Sequence, residues 1–273
     1  MDPGGKVVVV TGGANGIGRA LAHRFAAEDA RVVIADLDGA GASAVAREIA
    51  AAPRGHALGV SCDVTVDAEV ARLIGATEDA FGPVDLFCAN AGVAVGQDPG
   101  TPDEVWDLAF GVNVRAHVLA ARHLLPGWLE RGAGYFLSTA SAAGLLTQIG
   151  SAPYAVTKHA AVAFAEWLSV TYGDRGIRVS CLCPMGVNTS LLHHGQSTDG
   201  TDPGAAAAAA VVTQTGAVLE PEAVAEVVIS ALRDERFLIL PHPEVLTFFQ
   251  RKASDYDRWI AGMRRLRSRI IPS

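Results

Sequence analysis

The chain has 273 residues, half of them hydrophobic and 19% charged, which is enough apolar material for the core of one large α/β domain. Its net charge of −7 argues against a protein that binds nucleic acid. No apolar run approaches the roughly 20 residues of a membrane-spanning helix, and the N-terminal MDPGGKVVVV lacks the apolar segment of a signal peptide, so we expect a cytoplasmic protein.

The four cysteines give no indication of a metal site. Cys62, Cys88, Cys181 and Cys183 lie in apolar strand-like stretches, and no CxxC pair or His/Cys cluster has the spacing of metal ligands. We therefore expect buried free thiols and no bound metal.

Seven short apolar runs alternate along the chain with longer segments whose apolar residues recur at helical spacing. The runs span 6–10, 31–35, 56–61, 84–90, 134–138, 178–183 and 237–241. Because they are apolar throughout, we expect strands that are buried on both faces. The repeated strand-then-helix units predict an α/β fold with a doubly wound parallel sheet, the Rossmann fold, in one domain over residues 1–242.

The first of these runs leads directly into TGGANGIG (11–18), which opens the next helix. Its glycines permit positive φ angles and a close approach of the backbone to a pyrophosphate, and the helix N-terminus adds free N–H groups. The spacing G-x-x-x-G-x-G differs from G-x-G-x-x-G, and glycine is common at any turn between a strand and a helix. Its position after the first strand favours a dinucleotide site.

Asp36 ends the second strand, 18 residues beyond Gly18. A carboxylate there can accept hydrogen bonds from both hydroxyls of an adenosine ribose and would repel a 2′-phosphate. The glycine loop contains no Lys or Arg that could bind that phosphate, so these features predict NAD as the cofactor. The alternative is that Asp36 forms a turn or a helix N-cap. Asp63 could likewise accept from the adenine amino group or cap the next helix.

Tyr154 and Lys158 stand four residues apart in an apolar helical run, so both lie on one face of the helix. A phenol has a pKa of about 10 and is a poor base at neutral pH. A neighbouring ammonium and a positively charged nicotinamide ring would stabilise the phenolate and lower that pKa. The alternative is a solvated surface pair.

Together with NAG (90–92), Asn113 and Ser141, these motifs resemble the short-chain dehydrogenase/reductase family over residues 6–241. The resemblance implies an enzyme that transfers hydride between a secondary alcohol, or the ketone in reverse, and NAD. One rival is an NADPH-dependent carbonyl reductase, which Asp36 disfavours. A second is a non-catalytic NAD-binding regulator, and the presence of both the tyrosine and the lysine argues against it.

The resemblance assigns a role to each of four catalytic candidates. Tyr154 would be the acid/base, and Lys158 would tune it and hold the nicotinamide ribose. Ser141 would hydrogen-bond the substrate oxygen, and Asn113 would position a water that links Lys158 to solvent. The alternatives are that Ser141 is an ordinary loop serine and that Asn113 is a polar residue of a helix interior bonded to backbone.

The resemblance also implies the residues that contact the cofactor. They are Gly12, Asn15, Gly16, Ile17, Gly18, Asp36, Asp63, Val64, Asn90, Ala91, Gly92, Tyr154, Lys158, Pro184, Gly186, Val187 and Thr189. Thr189 would bond the nicotinamide side through its hydroxyl, and the backbone of Val187 would contact the carboxamide. Met185 departs from the family pattern, which usually has glycine after this proline, so we expect added bulk at the nicotinamide wall.

Substrate selection is expected from loops at the same edge of the sheet, namely 93–96, 142–148, Met185 and a lid over 190–218. These positions are mostly apolar and contain no Arg or Lys, which predicts an apolar alcohol or ketone and no clamp for a carboxylate or phosphate. His193 and His194 in the lid and Gln148 in the second loop are the polar side chains that could reach such a substrate. The alternative for the two histidines is an exposed position in the lid with no role.

Residues 243–273 form a C-terminal basic amphipathic extension. Positions 251–273 hold seven basic and two acidic side chains, and Trp259, Met263, Leu266 and Ile270 form an apolar stripe with the arginines mainly off it. We expect this extension to pack on protein, against its own lid or a neighbouring subunit, in preference to an anionic membrane surface.

The resemblance further implies a homo-oligomer, with a homotetramer favoured and a dimer as the alternative. The family usually pairs two helices across two-fold axes, here about 102–130 and 153–171. The second helix carries small residues that permit close packing, namely Ala155, Ala160, Ala161 and Ala163.

Overall fold

The computed structural model describes residues 1–194 and 203–271. Its centre is a seven-stranded parallel sheet with the strand order β3-β2-β1-β4-β5-β6-β9. The strands are β1 (Val7–Thr11), β2 (Arg31–Asp36), β3 (His56–Ser61), β4 (Leu86–Ala89), β5 (Gly134–Thr139), β6 (Ile177–Leu182) and β9 (Leu238–Ile239). Each overlaps one of the seven predicted runs, and the predicted doubly wound parallel sheet is confirmed.

The sequence analysis did not predict a second, two-stranded parallel sheet. It pairs β7 (Gly186–Val187) with β8 (Val218–Leu219), on the two sides of the segment predicted to be a lid. Part of that segment, 195–202, lies outside the described residues.

Helices cover both faces of the central sheet. They are α1 (Gly16–Ala27), α2 (Gly39–Ala50), α3 (Asp67–Phe81), α4 (Asp103–Phe110), α5 (Ala116–Arg131), α6 (Ala143–Leu146), α7 (Ala152–Tyr172), α8 (Ser190–His194), α9 (Pro203–Thr215), α10 (Pro221–Arg233), α11 (Glu244–Ser254) and α12 (Tyr256–Ile270). A π-helical turn, Gly111–Arg115, joins α4 to α5. Within the described ranges, no helix is long and apolar enough to cross a membrane.

Two separate cores explain why the strands are apolar throughout. Val8 and Val10 of β1 pack with residues of α1, α2 and α10 on one face of the sheet. Val9, between them, packs with residues of α3, α5 and α7 on the other face. Successive strand residues point to opposite faces, so a strand covered on both sides needs an apolar residue at every position.

The C-terminal extension packs on its own chain. Helix α11 contacts α6, and α12 contacts both α11 and α9. Lys252 of α11 is buried, its Nζ donates a hydrogen bond of 2.7 Å to the carbonyl of Leu145, and the same ammonium lies 5.4 Å from the ring centroid of Tyr256. The extension is therefore anchored to α6, the short helix that follows β5.

Replacing Lys252 with Met keeps the packing of the stem and removes the hydrogen bond, leaving the Leu145 carbonyl buried without its donor. We expect a loss of about 1–3 kcal/mol in the free energy of unfolding, measured by denaturant titration. Arg258→Met, an exposed position on α12, is the matched control and should change little. Equal stabilities for Lys252→Met and the wild type would contradict the anchoring role.

Candidate active site

The order of the sheet reverses between β1 and β4, which opens a crevice at the carboxyl ends of these strands. Hydrogen bonds from Thr11 and Asn90 hold the two strand ends together there. The Thr11 hydroxyl donates to the Cys88 carbonyl (3.2 Å) and accepts from the Asn90 and Ala91 amides (3.0 and 3.1 Å), and Asn90 Nδ2 donates to the Thr11 carbonyl (3.0 Å). The crevice continues into an open cleft of ≈ 1130 Å³.

The glycine loop has no side chains at the positions where a ligand could closely approach its backbone. Gly12 and Gly16 have positive φ angles of 62° and 53°. A Cβ atom on Gly12 would lie 2.8 Å from the Cα of Ala91, and one on Gly18 would lie 2.1 Å from the Gly12 carbonyl oxygen. No side chain caps the N-terminus of α1, where Asn15 is the N-cap residue, and the first residues of this helix line the cleft, so its free N–H groups are available to an anionic ligand. These residues fit a dinucleotide pyrophosphate.

Two backbone amides orient the carboxylate of Asp36 at the end of β2. Its Oδ2 accepts from the amide of Ala14 and its Oδ1 from the amide of Asp38, both at 3.0 Å. Asp38, and not Asp36, is the N-cap of α2, where it accepts from the Gly41 amide at 2.9 Å. Asp36 therefore lies in the wall of the cleft, where its carboxylate joins the glycine loop to the turn after β2.

Asp63 also lines the cleft, and its carboxylate accepts hydrogen bonds from a residue close to it in the sequence. Its Oδ1 accepts from the amide and the hydroxyl of Thr65, at 2.9 and 2.7 Å. The N-cap residue of the following helix α3 is Val66, so Asp63 forms a turn before the helix and does not cap it.

Tyr154, Lys158 and Ser141 lie together in the middle of the cleft. Ser151 caps α7, accepting from the Tyr154 amide (3.3 Å), so Tyr154 and Lys158 fall in the first two turns of that helix. The Nζ of Lys158 lies 5.7 Å from the centroid of the Tyr154 ring and donates a 3.0 Å hydrogen bond to the Thr139 carbonyl. Ser141 lies within hydrogen-bonding reach of the Tyr154 hydroxyl.

The expectation that the ammonium lowers the pKa of Tyr154 is not met in this structure. Burial raises the pKa of Tyr154 above its ordinary value, and the hydrogen bond with Ser141 offsets only part of this. Burial also lowers the pKa of Lys158 to about 8. The two effects share a cause, since each group loses the water that stabilises its charged form.

Asn113 lies in the π-helical turn, is fully buried and forms hydrogen bonds within the protein through both ends of its amide. Its Oδ1 accepts from the Val93 amide (2.9 Å), and its Nδ2 donates to the Val93 carbonyl (2.9 Å) and the Thr157 hydroxyl (3.0 Å). The side chain therefore ties the loop after β4 to α7, and it does not line the cleft.

Met185 is accommodated in place of the usual glycine by two neighbours that the sequence analysis did not identify. The Nδ1 of the buried His242 accepts from the Met185 amide (3.1 Å), and its Nε2 lies 3.0 Å from the Gly186 carbonyl. A Cβ on Gly216 would lie 2.0 Å from Met185 Cε, so this glycine makes room for the methionine side chain.

Most of the predicted cofactor residues line this cleft. They are Gly12, Asn15, Gly16, Ile17, Asp36, Asp63, Val64, Asn90, Ala91, Gly92, Tyr154, Lys158, Pro184, Val187 and Thr189. Gly18 and Gly186 do not line the cleft. Gly18 has no Cβ and so allows close contact with the Gly12 carbonyl, and Gly186 belongs to β7, which pairs with β8. At the substrate end, Gln148 lines the cleft; the side chains of His193 and His194 lie outside the described part of the structure.

The C-terminal extension forms part of the wall. Its lining residues are Phe248, Arg251, Trp259, Gly262, Met263, Leu266 and Arg269. The sequence analysis searched only the loops at the sheet edge for a basic clamp, and it therefore missed Arg251 and Arg269. Helical spacing from Trp259 could have placed Arg269 on the same face, but the sequence does not say what that face packs against.

Comparisons with known proteins agree with this geometry. The family model described as "short chain dehydrogenase" matches residues 6–200. The 1-deoxy-11-beta-hydroxypentalenate dehydrogenase of Streptomyces exfoliatus is 42% identical over 192 residues, 68% of this chain and 69% of that protein. The meso-2,3-butanediol dehydrogenase of Serratia marcescens is 34% identical over 189 residues, 69% and 74% of the two chains.

A solved structure supports the same relationship over almost the whole chain. A short-chain dehydrogenase/reductase from Burkholderia phymatum, in complex with NAD, superimposes with a TM-score of 0.85 at 30% identity. The match covers 94% of this chain and 96% of that one.

Proposed function

The chain belongs to the short-chain dehydrogenase/reductase family and is an oxidoreductase acting on a CH–OH group, and from that premise we propose that it transfers hydride between a secondary alcohol and NAD, with Tyr154 as acid/base. The observation that carries the proposal is the meeting of Tyr154, Ser141 and Lys158 in one cleft whose other end holds Asp36. The apolar lining favours an alcohol, or the corresponding ketone, with an apolar body.

The proposed mechanism follows from the contacts of each side chain. NAD supplies the hydride acceptor when it is bound. Tyr154 takes the hydroxyl proton of the alcohol during oxidation and returns a proton during reduction. Ser141 donates a hydrogen bond to the reacting oxygen, and its own position is fixed by the Ala143 amide, which donates to its hydroxyl at 3.1 Å.

Lys158 and Asn113 support Tyr154 without contacting the reacting oxygen of the substrate. The Lys158 ammonium supports the phenolate electrostatically, and it is within reach of the cleft, where a ribose hydroxyl could replace the Thr139 carbonyl as its partner. Because Asn113 is fully buried and both ends of its amide are bonded within the protein, a relay water near Lys158 would be held by backbone of the π-helical turn, and the amide itself holds that turn in position.

NAD is proposed over NADP because of Asp36. Each of its oxygens accepts one backbone amide and keeps free lone pairs for ribose hydroxyls, whereas a 2′-phosphate would meet a like charge. The neighbouring residue in the wall is the exposed Leu37, which offers no charge to bind a phosphate. The Burkholderia phymatum relative, solved with NAD, supports the same choice.

We further propose that residues 1–242 form the catalytic domain, with 190–218 as its lid, and that the extension 243–273 completes the substrate wall. The protein would act in the cytoplasm as a homotetramer. Exposed apolar side chains on α4 and α7, among them Leu108, Trp167 and Val170, support an interface on those helices. Ala161, which was expected on that face, lies instead in the core, because it points toward the sheet.

Tyr154→Phe should lower kcat for alcohol oxidation by about 10²- to 10⁴-fold, the usual contribution of a general base, while NADH binding measured by fluorescence stays near wild type. Tyr172→Phe, at the end of the same helix, is the control. In the wild type, oxidation should accelerate as pH rises above neutral, because burial raises the pKa of Tyr154 and the phenolate that accepts the proton becomes more populated. Reduction uses the protonated phenol, so its rate should stay nearly constant until the pH approaches that raised pKa. Activity of Tyr154→Phe close to wild type would refute the mechanism.

Asp36→Ala should reduce the preference for NAD over NADP by about ten- to hundredfold in kcat/KM, because it removes both the ribose acceptor and the charge that repels a 2′-phosphate. Asp38→Ala removes a carboxylate two residues away that caps α2, and it should leave the preference unchanged. A wild-type enzyme that prefers NADP would overturn the cofactor assignment.

Trp167→Glu should shift the mass measured by light scattering at micromolar concentration from the tetramer to a smaller species, because it buries a charge in the proposed interface. Leu246→Glu, an equally apolar exposed position on α11, should leave the mass unchanged. A wild-type monomer would exclude the proposed assembly.

A further inference from the structure

Two arginines of the C-terminal extension lie in the wall of the cleft, Arg251 on α11 and Arg269 on α12. We propose that their guanidinium groups bind a carboxylate on the substrate, so that the enzyme acts on an apolar hydroxy acid. The inference rests on the proposed function, because it takes this cleft as the site where the alcohol is oxidised.

Helical spacing assigns Arg269 to the wall and not to the solvated face. Trp259, Gly262, Met263 and Leu266 line the cleft, and Arg269 continues the series three residues after Leu266. The other arginines of α12, at 258, 264, 265 and 267, do not line it. On α11, Arg251 follows the lining residue Phe248 by three positions, which places both on one face.

The charges along the cleft are segregated. Among its described lining residues, the acidic ones are Asp36 and Asp63, at the ends of β2 and β3. Lys158 stands in the middle, and Arg251 and Arg269 supply the charge of the C-terminal wall. An anion in the substrate end would therefore meet only positive side chains there, whereas the two carboxylates belong to the adenosine end.

Both guanidinium groups are available to a ligand. Their side chains are exposed, and within 1–194 and 203–271 neither forms an ion pair or a side-chain hydrogen bond, whereas Arg24, Arg178 and Arg233 are all ion-paired. The planar fork of arginine matches the two oxygens of a carboxylate and binds them by paired N–H···O bonds. Each of the two arginines in the wall can offer this fork to an anionic group in the cleft.

The wall between the catalytic residues and the arginines is apolar. It is formed by Phe248, Trp259, Met263 and Leu266 of the extension and by Leu191, Leu192, Val211 and Val212 of the lid region. A substrate that spans it needs an apolar body, a secondary alcohol at Tyr154 and a carboxylate at the opposite end. The hydrogen bond from Lys252, the residue after Arg251, to the Leu145 carbonyl ties α11 to the segment that follows Ser141.

Calorimetric titration of the NAD-bound protein with decanoate and with decan-2-ol tests the site without requiring turnover. We expect Arg251→Gln and Arg269→Gln each to weaken decanoate binding by about tenfold, the size expected for a lost charged hydrogen bond, and to leave decan-2-ol binding unchanged. Arg267→Gln is the matched control, because this arginine is exposed on the same helix and lies outside the wall. The KM for NAD should be the same in all variants.

Three outcomes would overturn the proposal. Decanoate could bind the double variant as tightly as the wild type, or Arg267→Gln could weaken it equally, which would indicate general attraction to a basic helix. Decyl phosphate could also bind tenfold more tightly than decanoate, which would make the anion a phosphate. Oxidation of neutral alcohols such as decan-2-ol with NAD is followed in parallel; its absence from the wild type would count against the proposed function, while the titrations would still decide the carboxylate site.

Discussion

The requirement that all strands of a parallel sheet end at the same edge governs the rest of this structure. The order reverses between β1 and β4, and at that point the Thr11 hydroxyl bridges the two strands through Cys88, Asn90 and Ala91. The glycine loop follows β1 and Asp36 ends β2 on one side of this point, whereas Ser141 follows β5 on the other. One constraint of backbone pairing thus brings together residues that are more than a hundred positions apart.

Much of this could be predicted from sequence, because the information is local. An apolar run specifies a strand buried on both faces, a glycine after it specifies a turn, and a Tyr and Lys four apart specify one helix face. The pairing of β7 with β8 could not be predicted, since each strand has two residues and their contact depends on the path of the chain between them. The same limit applies to α12. The spacing of its apolar residues identifies one helix face, but it does not identify the element against which that face packs.

The pKa of Tyr154 illustrates a different limit. From sequence, the expected influences were the charges of Lys158 and of a bound nicotinamide ring, which together predict a lowered pKa of Tyr154. In the structure, burial acts on both groups, so it opposes phenolate and ammonium alike, raising one pKa and lowering the other. The mutual attraction of the charged pair grows in the same low-dielectric surroundings. Which effect dominates therefore depends on what else occupies the cleft, and a cationic nicotinamide ring favours the phenolate.

The substrate wall and the catalytic residues are built by different parts of the chain but are mechanically joined. Lys252 connects α11 to the Leu145 carbonyl, four residues from Ser141, and His242 holds the backbone at Met185 and Gly186. A shift of α11 would therefore be transmitted to the Leu145 carbonyl, and a shift of His242, which directly precedes the extension, to the backbone at Met185 and Gly186. Because these links run to backbone atoms, side chains in the wall can vary without disturbing Tyr154, Ser141 or Lys158. The fold in this way places the proposed catalytic residues at the sheet edge and the last two helices in the wall proposed to select the substrate.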